Sequence, residues 1–385
     1  MLATSDPKAG GPIPPVLLLV FNRPDTTKLV FERIRQARPR QLFIAADGPR
    51  SWLENEAEQC AAARAVTTRV DWDCQVKTLM REENLGCKRA VASAIDWFFE
   101  QVSEGIILED DTLPGAEFFP FCAWLLEHFR NDPRVMHIGG NNFQFGRRRG
   151  DGAYYFSVFT HVWGWATWRR AWRHYDSGLS RIGELKRSGR LERIFKDRES
   201  REFWLGMFEM TARGEIDTWD SQWIMSIWNQ GGLAVQPEAN LVTNIGFGPS
   251  ATHTKGQSRV ASLPVRGLGR LCHPSCLAVD QAADDFSQRY VFFQHINDPE
   301  RLARDVTAAI EAGDPREAAA LAGSFLTLYP QDAALAWLEL KALDLVGDRR
   351  RVAGRLEKFL ALRPEHAQAL ALRDRLAAGA APRSA

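Results

Sequence analysis

Three acidic side chains, Glu109, Asp110 and Asp111, follow an apolar run in the stretch GIILEDDTLPG at residues 105–115. Carboxylates this close together repel one another and resist burial, so their position at the end of a predicted strand needs a cause. One cause is structural, because acidic residues favour helix N-termini and the segment DTLPGAEFF could begin a helix. The other is chemical, because carboxylates bind Mg²⁺ or Mn²⁺ while the phosphates of a substrate complete the coordination shell. Taken alone, the triplet favours the structural cause.

Further polar residues follow other apolar runs in the first half of the chain. Arg23, in VFNRP, is placed where a guanidinium can bind phosphate, and Asp47, in AADGPR, where a carboxylate can accept hydrogen bonds from a ribose or a base. Asn84 and Lys88 lie in ENLGCKRA, at a predicted helix N-terminus that favours anions. Each also has a structural explanation, as a turn residue or part of a solvated surface. Because several such positions would meet at one crevice, together they favour a ligand site.

Two acidic residues and a histidine further along the chain are candidates for proton transfer and metal contact. Asp217 and Asp220, in EIDTWDSQW, precede a helical pattern, so either could act as a base, and Asp220 would equally suit a helix N-cap. His253 and Lys255 lie in the glycine-containing segment GFGPSATHTKG, where a metal or phosphate contact competes with a structural role.

The segment HVWGWATW, residues 161–168, is dense in tryptophan. Clustered tryptophans are core residues by default. Alternatively, Gly164 lets a loop approach a sugar while Trp163 or Trp165 presents an apolar face to a pyranose ring.

The elements that would carry these residues alternate between short apolar runs and helical patterns. This alternation predicts βαβ units, and therefore an α/β fold with a mainly parallel sheet. In such sheets ligands bind beyond the carboxyl ends of the strands, where the polar residues named above would lie. The predicted strands are Val16–Phe21, Leu42–Ala46, Gln75–Met80, Gly105–Leu108 and Val135–Ile138.

The chain of 385 residues is longer than one hydrophobic core usually serves. We predict a flexible N-terminus (1–12), a large domain (13–297), a helical tail (298–378) and a disordered end (379–385). The large domain would consist of a nucleotide-binding half (13–150) and a Trp-rich half (151–297). In the tail, Gly313 and Gly347 are 34 residues apart, as are Pro330 and Pro364. A helix-turn-helix repeat of this length resembles the tetratricopeptide family, which could give the tail a protein partner. Only two units are visible, fewer than the three or so that such arrays need, so the tail could instead brace the large domain.

Composition excludes several classes of function. The net charge is +1, which gives no field that favours nucleic acid. The longest apolar run, VLLLVF, is far shorter than the roughly 20 residues that span a bilayer, and the polar start lacks the layout of a signal peptide. The six cysteines show no spacing that indicates a disulfide framework, which is typical of reduced thiols. Cys272 and Cys276 have the spacing of a zinc-ligand pair, but the sequence contains no second pair, so structural thiols are favoured. We therefore expect a cytoplasmic protein without a transmembrane segment.

The order of the motifs resembles that of nucleotide-diphospho-sugar transferases of the GT-A type. The chain is most similar to bacterial glycosyltransferase-2-like proteins and also resembles the N-acetylglucosaminyltransferase I family, which carries a Glu-Asp-Asp triplet too. The likeness covers roughly residues 13–255. The motifs, in order, are VFNRP, AADGPR, ENLG, LEDDTLP, HVWGWATW, DTWDSQW and GFGPSATHT.

The resemblance implies a division of labour at the donor site. Asp111 would contact the divalent metal, Mn²⁺ or Mg²⁺, that holds the donor diphosphate. Glu109 and Asp110 would serve the ribose, the sugar and the water shell of the metal, although Glu109 replaces the first aspartate of the common Asp-x-Asp form. Asp47 would contact the base or the ribose. Arg23 and Asn84 would lie near the nucleotide.

The resemblance also places the later residues. Asp220, just ahead of a helix and beside tryptophan, would be the base, and a single carboxylate base implies inversion at the anomeric carbon. His253 would bind the metal or touch the diphosphate, and Lys255 beside it could meet a phosphate. The loop from Trp163 to Trp165, including Gly164, would lie where donor and acceptor meet.

The sequence thus predicts a metal-dependent, inverting glycosyltransferase that uses a nucleotide sugar, with a UDP-sugar favoured. A surface glycan, a lipid-linked glycan or a protein side chain would serve as acceptor. Two other classes compete with this prediction. A sugar nucleotidylyltransferase shares a related sheet, but the segment after the first strand lacks the expected glycine-rich basic loop. A non-catalytic scaffold would combine a degenerate transferase domain with a protein-binding tail.

Overall fold

The computed structural model of the chain describes residues 11–247, 259–261 and 263–378. These residues form two compact units. The first contains those up to Asn142 and within Arg149–Asp284, and the second contains Phe143–Arg148 and those from Asp285 onward. The predicted flexible N-terminus, except its last two residues, and the predicted disordered end lie outside the described residues.

The first unit is built on a mixed sheet in which parallel pairs predominate. The strands of this unit are β1 (Val16–Val20), β2 (Gln41–Ala46), β3 (Gln75–Met80), β4 (Glu104–Glu109), β5 (Thr112–Pro114), β6 (Val135–Gly139), β7 (Tyr154–Ser157), β8 (Trp165–Trp168), β9 (Leu233–Pro237) and β10 (Val242–Asn244). Eight of them form one sheet in the order β3-β2-β1-β4-β8-β6-β9-β7, and β5 pairs with β10 in a second. The predicted α/β fold with a mainly parallel sheet is confirmed, and each of the five predicted strands is present within one or two residues.

Strand β8 is the main departure from the predicted topology. It runs antiparallel to both β4 and β6, so it interrupts the parallel order in the middle of the sheet. All four of its residues are buried. Part of the tryptophan-rich segment is therefore a central strand.

Helices cover both faces of this sheet because successive strand residues point to opposite sides. Val16, Leu18 and Val20 pack in one core cluster, whereas Leu17 and Leu19 pack in the other. The first cluster also takes residues from the helices Pro24–Ala37 and Phe118–His128, and the second takes residues from the helices Gly86–Gln101 and Asp220–Gln230. The helices of the first unit are α1 (Pro24–Ala37), α2 (Glu56–Thr67), α3 (Gly86–Gln101), α4 (Phe118–His128), α5 (Arg169–Trp172), α6 (Ile182–Arg187), α7 (Arg190–Ile194), α8 (Arg198–Ala212) and α9 (Asp220–Gln230), and α10 (Gln281–Phe286) begins in it.

The acidic triplet lies at the junction of β4 and β5 and not at a helix N-terminus. Glu109 ends β4, and its backbone N–H donates to the Thr112 hydroxyl at 2.9 Å, which closes the turn that carries Asp110 and Asp111. Helix α4 begins only at Phe118. The structural explanation of the triplet as a helix start is therefore wrong.

The second unit is helical from Asp285 onward, after the short segment Phe143–Arg148. Its elements are a π-helical segment (Ser287–Phe292), a 3-10 turn (His295–Asn297), α11 (Pro299–Glu311), α12 (Pro315–Leu328), α13 (Ala333–Val346), α14 (Arg349–Leu362) and α15 (Ala367–Ala377). No helix in the described residues is long and apolar enough to cross a membrane.

Aspartate caps repeat through the second unit. Asp298, Asp314, Asp332 and Asp348 each accept the backbone N–H three residues further on, which satisfies a free donor of the first helical turn. Asp298 and Asp332 are 34 residues apart, as are Asp314 and Asp348. The 34-residue period seen in the sequence therefore coincides with helix boundaries.

Candidate active site

A cavity of about 830 Å³ opens at the carboxyl ends of β1, β2 and β4. This is the position at which open α/β sheets bind ligands. The cavity brings together residues that lie far apart in the sequence. Of the predicted site residues, its wall includes Arg23, Asp47, Asn84, Glu109, Asp110, Asp111, Asp217 and Asp220.

The acidic triplet contributes three carboxylates to this cavity. Asp110 is 7% exposed, and its Oδ2 accepts the Phe21 backbone N–H at 2.8 Å. Asp111 Oδ2 accepts a hydrogen bond from Arg23 Nη1 at 2.5 Å. Glu109 and Asp111 are only partly buried, because the cavity leaves them accessible.

The three carboxyl groups share an environment that disfavours negative charge. Burial raises the pKa of Glu109 well above its usual value, and the neighbouring charges of Asp111, Asp110 and Asp220 raise it further. Burial, followed by the charge of Asp111, raises the pKa of Asp110 to about 7. Burial also raises the pKa of Asp111, although the Arg23 guanidinium opposes the shift. A cation beside the triplet would relieve this repulsion.

The donor set fits a divalent cation that takes part of its coordination from a ligand. In residues 11–247, 259–261 and 263–378, no group of three or more His, Cys, Asp or Glu side chains could hold a metal ion by itself. However, Mg²⁺ is usually bound through one or two carboxylates together with substrate phosphates and water. Asp111, with Glu109 and Asp110 beside it, supplies such oxygen donors. His253, the other predicted ligand, lies outside the described residues, as does Lys255.

The raised pKa of Asp110 should make the ligand-free chain less stable as pH rises. Between the usual value of 3.8 and about 7, folded Asp110 keeps a proton that the unfolded chain has released. Each such proton lowers the unfolding free energy by up to about 1.4 kcal/mol per pH unit. Asp110→Asn removes this pH dependence. In denaturant unfolding, the unfolding free energy of the variant should therefore rise relative to that of wild type as the pH goes from 3.8 to about 7. If the unfolding free energies of the two chains changed with pH in parallel, the raised pKa of Asp110 would be contradicted.

Gly246 packs against the ion pair between Arg23 and Asp111. Antiparallel pairing of β10 with β5 carries the chain there, and the Ile245 N–H donates to the Asp111 carbonyl at 2.8 Å. A Cβ at position 246 would lie 2.1 Å from Asp111 Oδ2 and 2.6 Å from Arg23 Nη1. Only glycine fits without displacing these groups.

If the nucleotide site predicted from the sequence lies in this cavity, Gly246→Ala should weaken metal-dependent nucleotide binding. Overpacking costs about 1–3 kcal/mol, which corresponds to a loss of affinity of about 5-fold to 150-fold in calorimetric titration with UDP and Mn²⁺. Gly206→Ala is the matched control, because a Cβ at that helical position meets nothing within 4 Å. Equal affinities of the two variants would show that the Asp111 region does not bind the nucleotide.

Asp47 holds the loop that leads into α3. Its Oδ1 and Oδ2 accept the Leu85 N–H at 3.0 and 3.1 Å, and Oδ2 also accepts Asn84 Nδ2 at 2.9 Å. Burial raises the pKa of Asp47, and the Leu85 hydrogen bond opposes this shift. Asp47 and Asn84 thus fix each other at the cavity wall, in addition to any contact with a nucleotide.

The turn before α9 forms another part of the wall and carries the candidate bases. Asp217 is exposed, and its Oδ2 lies 3.2 Å from where a Cβ of Gly86 would be. Asp220 is half-buried and is the first residue of α9, while Trp219 occupies the N-cap position without a side-chain capping bond. The expected N-cap role of Asp220 is therefore not found.

No protein-family model matches the chain, and no curated protein matches it. What the cavity can do must be judged from its chemistry. It combines a carboxylate triplet suited to a dication, a guanidinium suited to phosphate, and separate carboxylates on α9 and the turn before it.

Of the predicted site residues that the structure describes, three do not line the cavity. Trp165 is completely buried and stacks on Trp219 with ring centroids 5.6 Å apart, so it supports the wall from behind and does not touch a ligand directly. Gly164 is buried, and a Cβ there would lie 2.9 Å from Val242, so close packing is its role. Lys88 is half-buried on α3 and is not part of the wall.

Several residues at the cavity were not singled out from the sequence. Arg50 reaches it while bonded to the buried Glu56, whose Oε2 accepts the Arg50 N–H at 2.7 Å. Trp52 lies at the cavity with 74% of its surface exposed. Both follow Asp47 in the stretch ADGPRSW, so the signal that could have found them is the turn after β2. Trp163, which the sequence did suggest as a sugar contact, reaches the cavity and contacts the ring of Phe247, with centroids 5.5 Å apart.

Proposed function

We propose that the chain is a metal-dependent glycosyltransferase of the GT-A type that uses a nucleotide-diphosphate sugar, with a UDP-sugar favoured. The observation that carries the proposal is the convergence of the acidic triplet and Asp220 on one cavity at the carboxyl ends of the strands. Carboxylates that repel one another destabilise the folded chain, so a purely structural role does not explain why partly accessible ones lie together at this place. Synthesis of a glycan or glycoconjugate is the corresponding cellular role.

Donor binding would use the triplet and the basic groups around it. Asp111, with Glu109 and Asp110, would hold Mn²⁺ or Mg²⁺. When bound, such a dication stabilises the negative charge that develops on the leaving diphosphate. Arg23, which lies against Asp111, would contact a phosphate oxygen as well. Asp47 and Asn84 would position the nucleoside end of the donor.

Asp220 would act on the acceptor. Its carboxylate would take the proton of the acceptor hydroxyl as that oxygen bonds to the anomeric carbon, while the nucleoside diphosphate leaves with the bonding electron pair. One base on one side of the sugar gives inversion of configuration. The half-exposed aromatic pair of Trp163 and Phe247 offers an apolar face that suits a sugar ring, which favours a glycan or lipid-linked glycan acceptor over a bare protein side chain.

The helical tail would be a tetratricopeptide-like array. The 34-residue spacing of its aspartate caps supports this proposal, as do the left-handed glycines Gly313 and Gly347, which end helical segments in equivalent positions. Stacked repeats of this kind form extended binding surfaces. A protein partner would therefore bind here and not at the cavity.

A panel of nucleotide sugars tests the function directly. We expect release of nucleoside diphosphate from one UDP-sugar with Mn²⁺ or Mg²⁺, and none with a chelator. Pyrophosphate release from a nucleoside triphosphate and a sugar phosphate would instead identify a nucleotidylyltransferase. Absence of both reactions, together with no stabilisation by any nucleotide, would leave the scaffold interpretation.

A further inference from the structure

The turn that carries Asp217 and Asp220 is held rigidly from several sides. The Tyr175 hydroxyl donates to the Trp219 carbonyl at 3.0 Å, and Gln222 Nε2 donates to the Thr218 carbonyl at 2.7 Å. The Trp219 ring, 3% exposed, stacks on the buried ring of Trp165. The backbone of residues 218–220 therefore has a fixed position relative to the sheet.

The two oxygens of Asp220 differ in their contacts. Oδ1 accepts a hydrogen bond from the Thr218 hydroxyl and another from the Ser221 backbone N–H, the latter at 2.8 Å. Among the described residues, Oδ2 has no hydrogen-bond partner, and Thr218 is the only side chain that bonds to Asp220. Two donors on one oxygen fix the plane of the carboxylate and leave the other oxygen available.

The titratable groups around Asp220 in the described part of the chain provide no equivalent support. Glu109 on β4, Cys87 on α3 and Tyr175 are close enough to interact electrostatically with Asp220. None of them donates a hydrogen bond to it. Asp217, in the same turn, carries a like charge. The orientation of Asp220 thus depends on Thr218 and on one backbone N–H.

We propose that Thr218 is a positioning residue that holds Asp220 Oδ1, so that Oδ2 faces the acceptor hydroxyl. This inference rests on the proposed transferase function. The hydroxyl restricts rotation of the carboxylate before reaction, and it can stay bonded to Oδ1 while the proton of the acceptor moves to Oδ2. Geometry of this kind matters because a small misplacement of a reacting group can cost about 100-fold in rate.

Thr218→Val tests the proposal, because valine has nearly the same shape but no hydroxyl. With the UDP-sugar identified by the panel, kcat should fall roughly 10-fold to 100-fold, while the donor KM and metal-dependent UDP binding stay unchanged. Thr218→Ser keeps the hydroxyl and should restore most of kcat. In an Asp220→Asn background, Thr218→Val should cause no further loss, since the two residues would act as one unit.

Three results would overturn the proposal: near-normal kcat in Thr218→Val, equal impairment of Thr218→Ser, or an undiminished effect in the Asp220→Asn background. The last two would indicate that Thr218 acts through the fold alone. Failure of the transferase function has a different signature, because the wild-type chain itself would then turn over no nucleotide sugar. That outcome would overturn both proposals, whereas an active wild type with a fully active Thr218→Val chain would overturn only this one.

Discussion

Asp111→Asn should abolish the stabilisation by UDP and Mn²⁺ that the proposed function predicts for the wild-type chain. Ligand at 100 times its Kd raises the unfolding free energy by about 2.7 kcal/mol, which is seen as a rise of several degrees in Tm. An amide at position 111 lacks the charge that a dication needs and also loses the ionic partner of Arg23. The rise should therefore be close to zero in the variant. Thermal unfolding with UDP and Mn²⁺, added separately and together, measures it.

The same variant should not unfold more easily without ligand. Because burial raises the pKa of Asp111, the charged carboxylate is less favourable in the folded chain than in the unfolded chain near neutral pH. Removing the charge at position 111 also removes its repulsion of the Glu109 and Asp110 carboxylates. The lost ion pair with Arg23 works in the opposite direction, so we expect a small net change. An unchanged stability without ligand would show that Asp111→Asn loses ligand binding and not its fold.

Asp71→Asn is a suitable control for this experiment. Asp71 pairs with Arg35 on the exposed surface and does not line the cavity. Exposed ion pairs contribute at most about 1 kcal/mol, so this variant should bind UDP as wild type does. If Asp111→Asn and Asp71→Asn were stabilised equally by UDP and Mn²⁺, the triplet would not be the metal site, and the proposed function would lose its main support.

Much of the parallel part of the sheet was predictable because β1, β2 and β4 contain uninterrupted apolar runs between helical patterns. Val16–Val20 and Gln41–Ala46 are almost wholly buried, as a central parallel strand requires. Strand β8 gave no such signal, because Trp165–Trp168 is short and lies among other tryptophans. Periodicity cannot separate a four-residue buried strand from a loop that packs aromatic rings. The antiparallel insertion between β4 and β6 follows from long-range pairing that a local pattern does not contain.

A local sequence pattern does not contain the division of the chain into its two compact units either. The sequence suggested a boundary after residue 297, whereas the contacts divide the chain after Asp284 and assign Phe143–Arg148 to the helical unit. Gln144 Nε2, for example, donates to the Ser287 hydroxyl at 2.9 Å within that unit. A six-residue excursion of this kind has no compositional signature.

The site could be predicted in part, because polar residues at the ends of parallel strands must meet at one edge. This rule found Arg23, Asp47 and the triplet. It could not assign roles that depend on burial. Trp163 and Trp165 look alike in the sequence, but one reaches the cavity and the other stacks behind Trp219. The hydrogen bond from Thr218 to Asp220, on which the proposed positioning role rests, has no counterpart in a sequence pattern.

Asp220→Asn should lower turnover by at least about 100-fold and leave donor binding intact. General base catalysis contributes about 100-fold to 10,000-fold to a rate, and an amide cannot accept the proton of the acceptor hydroxyl. The carboxamide oxygen can still accept the bonds from Thr218 and Ser221, so the turn should keep its shape. UDP and Mn²⁺ should therefore stabilise this variant as they stabilise wild type, while kcat falls by at least about 100-fold.

Asp217→Asn is the matched comparison, because both carboxylates belong to one turn and line one cavity. Asp217 is exposed, whereas Asp220 lies close enough to Glu109 to raise the pKa of that group. The base must lie near the anomeric carbon of the donor that the triplet would hold, and Asp220 is the aspartate closer to the triplet. Asp217→Asn should therefore keep most of its kcat. The reverse pattern, with Asp217→Asn inactive and Asp220→Asn active, would assign the base to Asp217 and remove the basis for the role of Thr218. Inactivity of both with UDP binding intact would mean that the turn works as a pair of carboxylates.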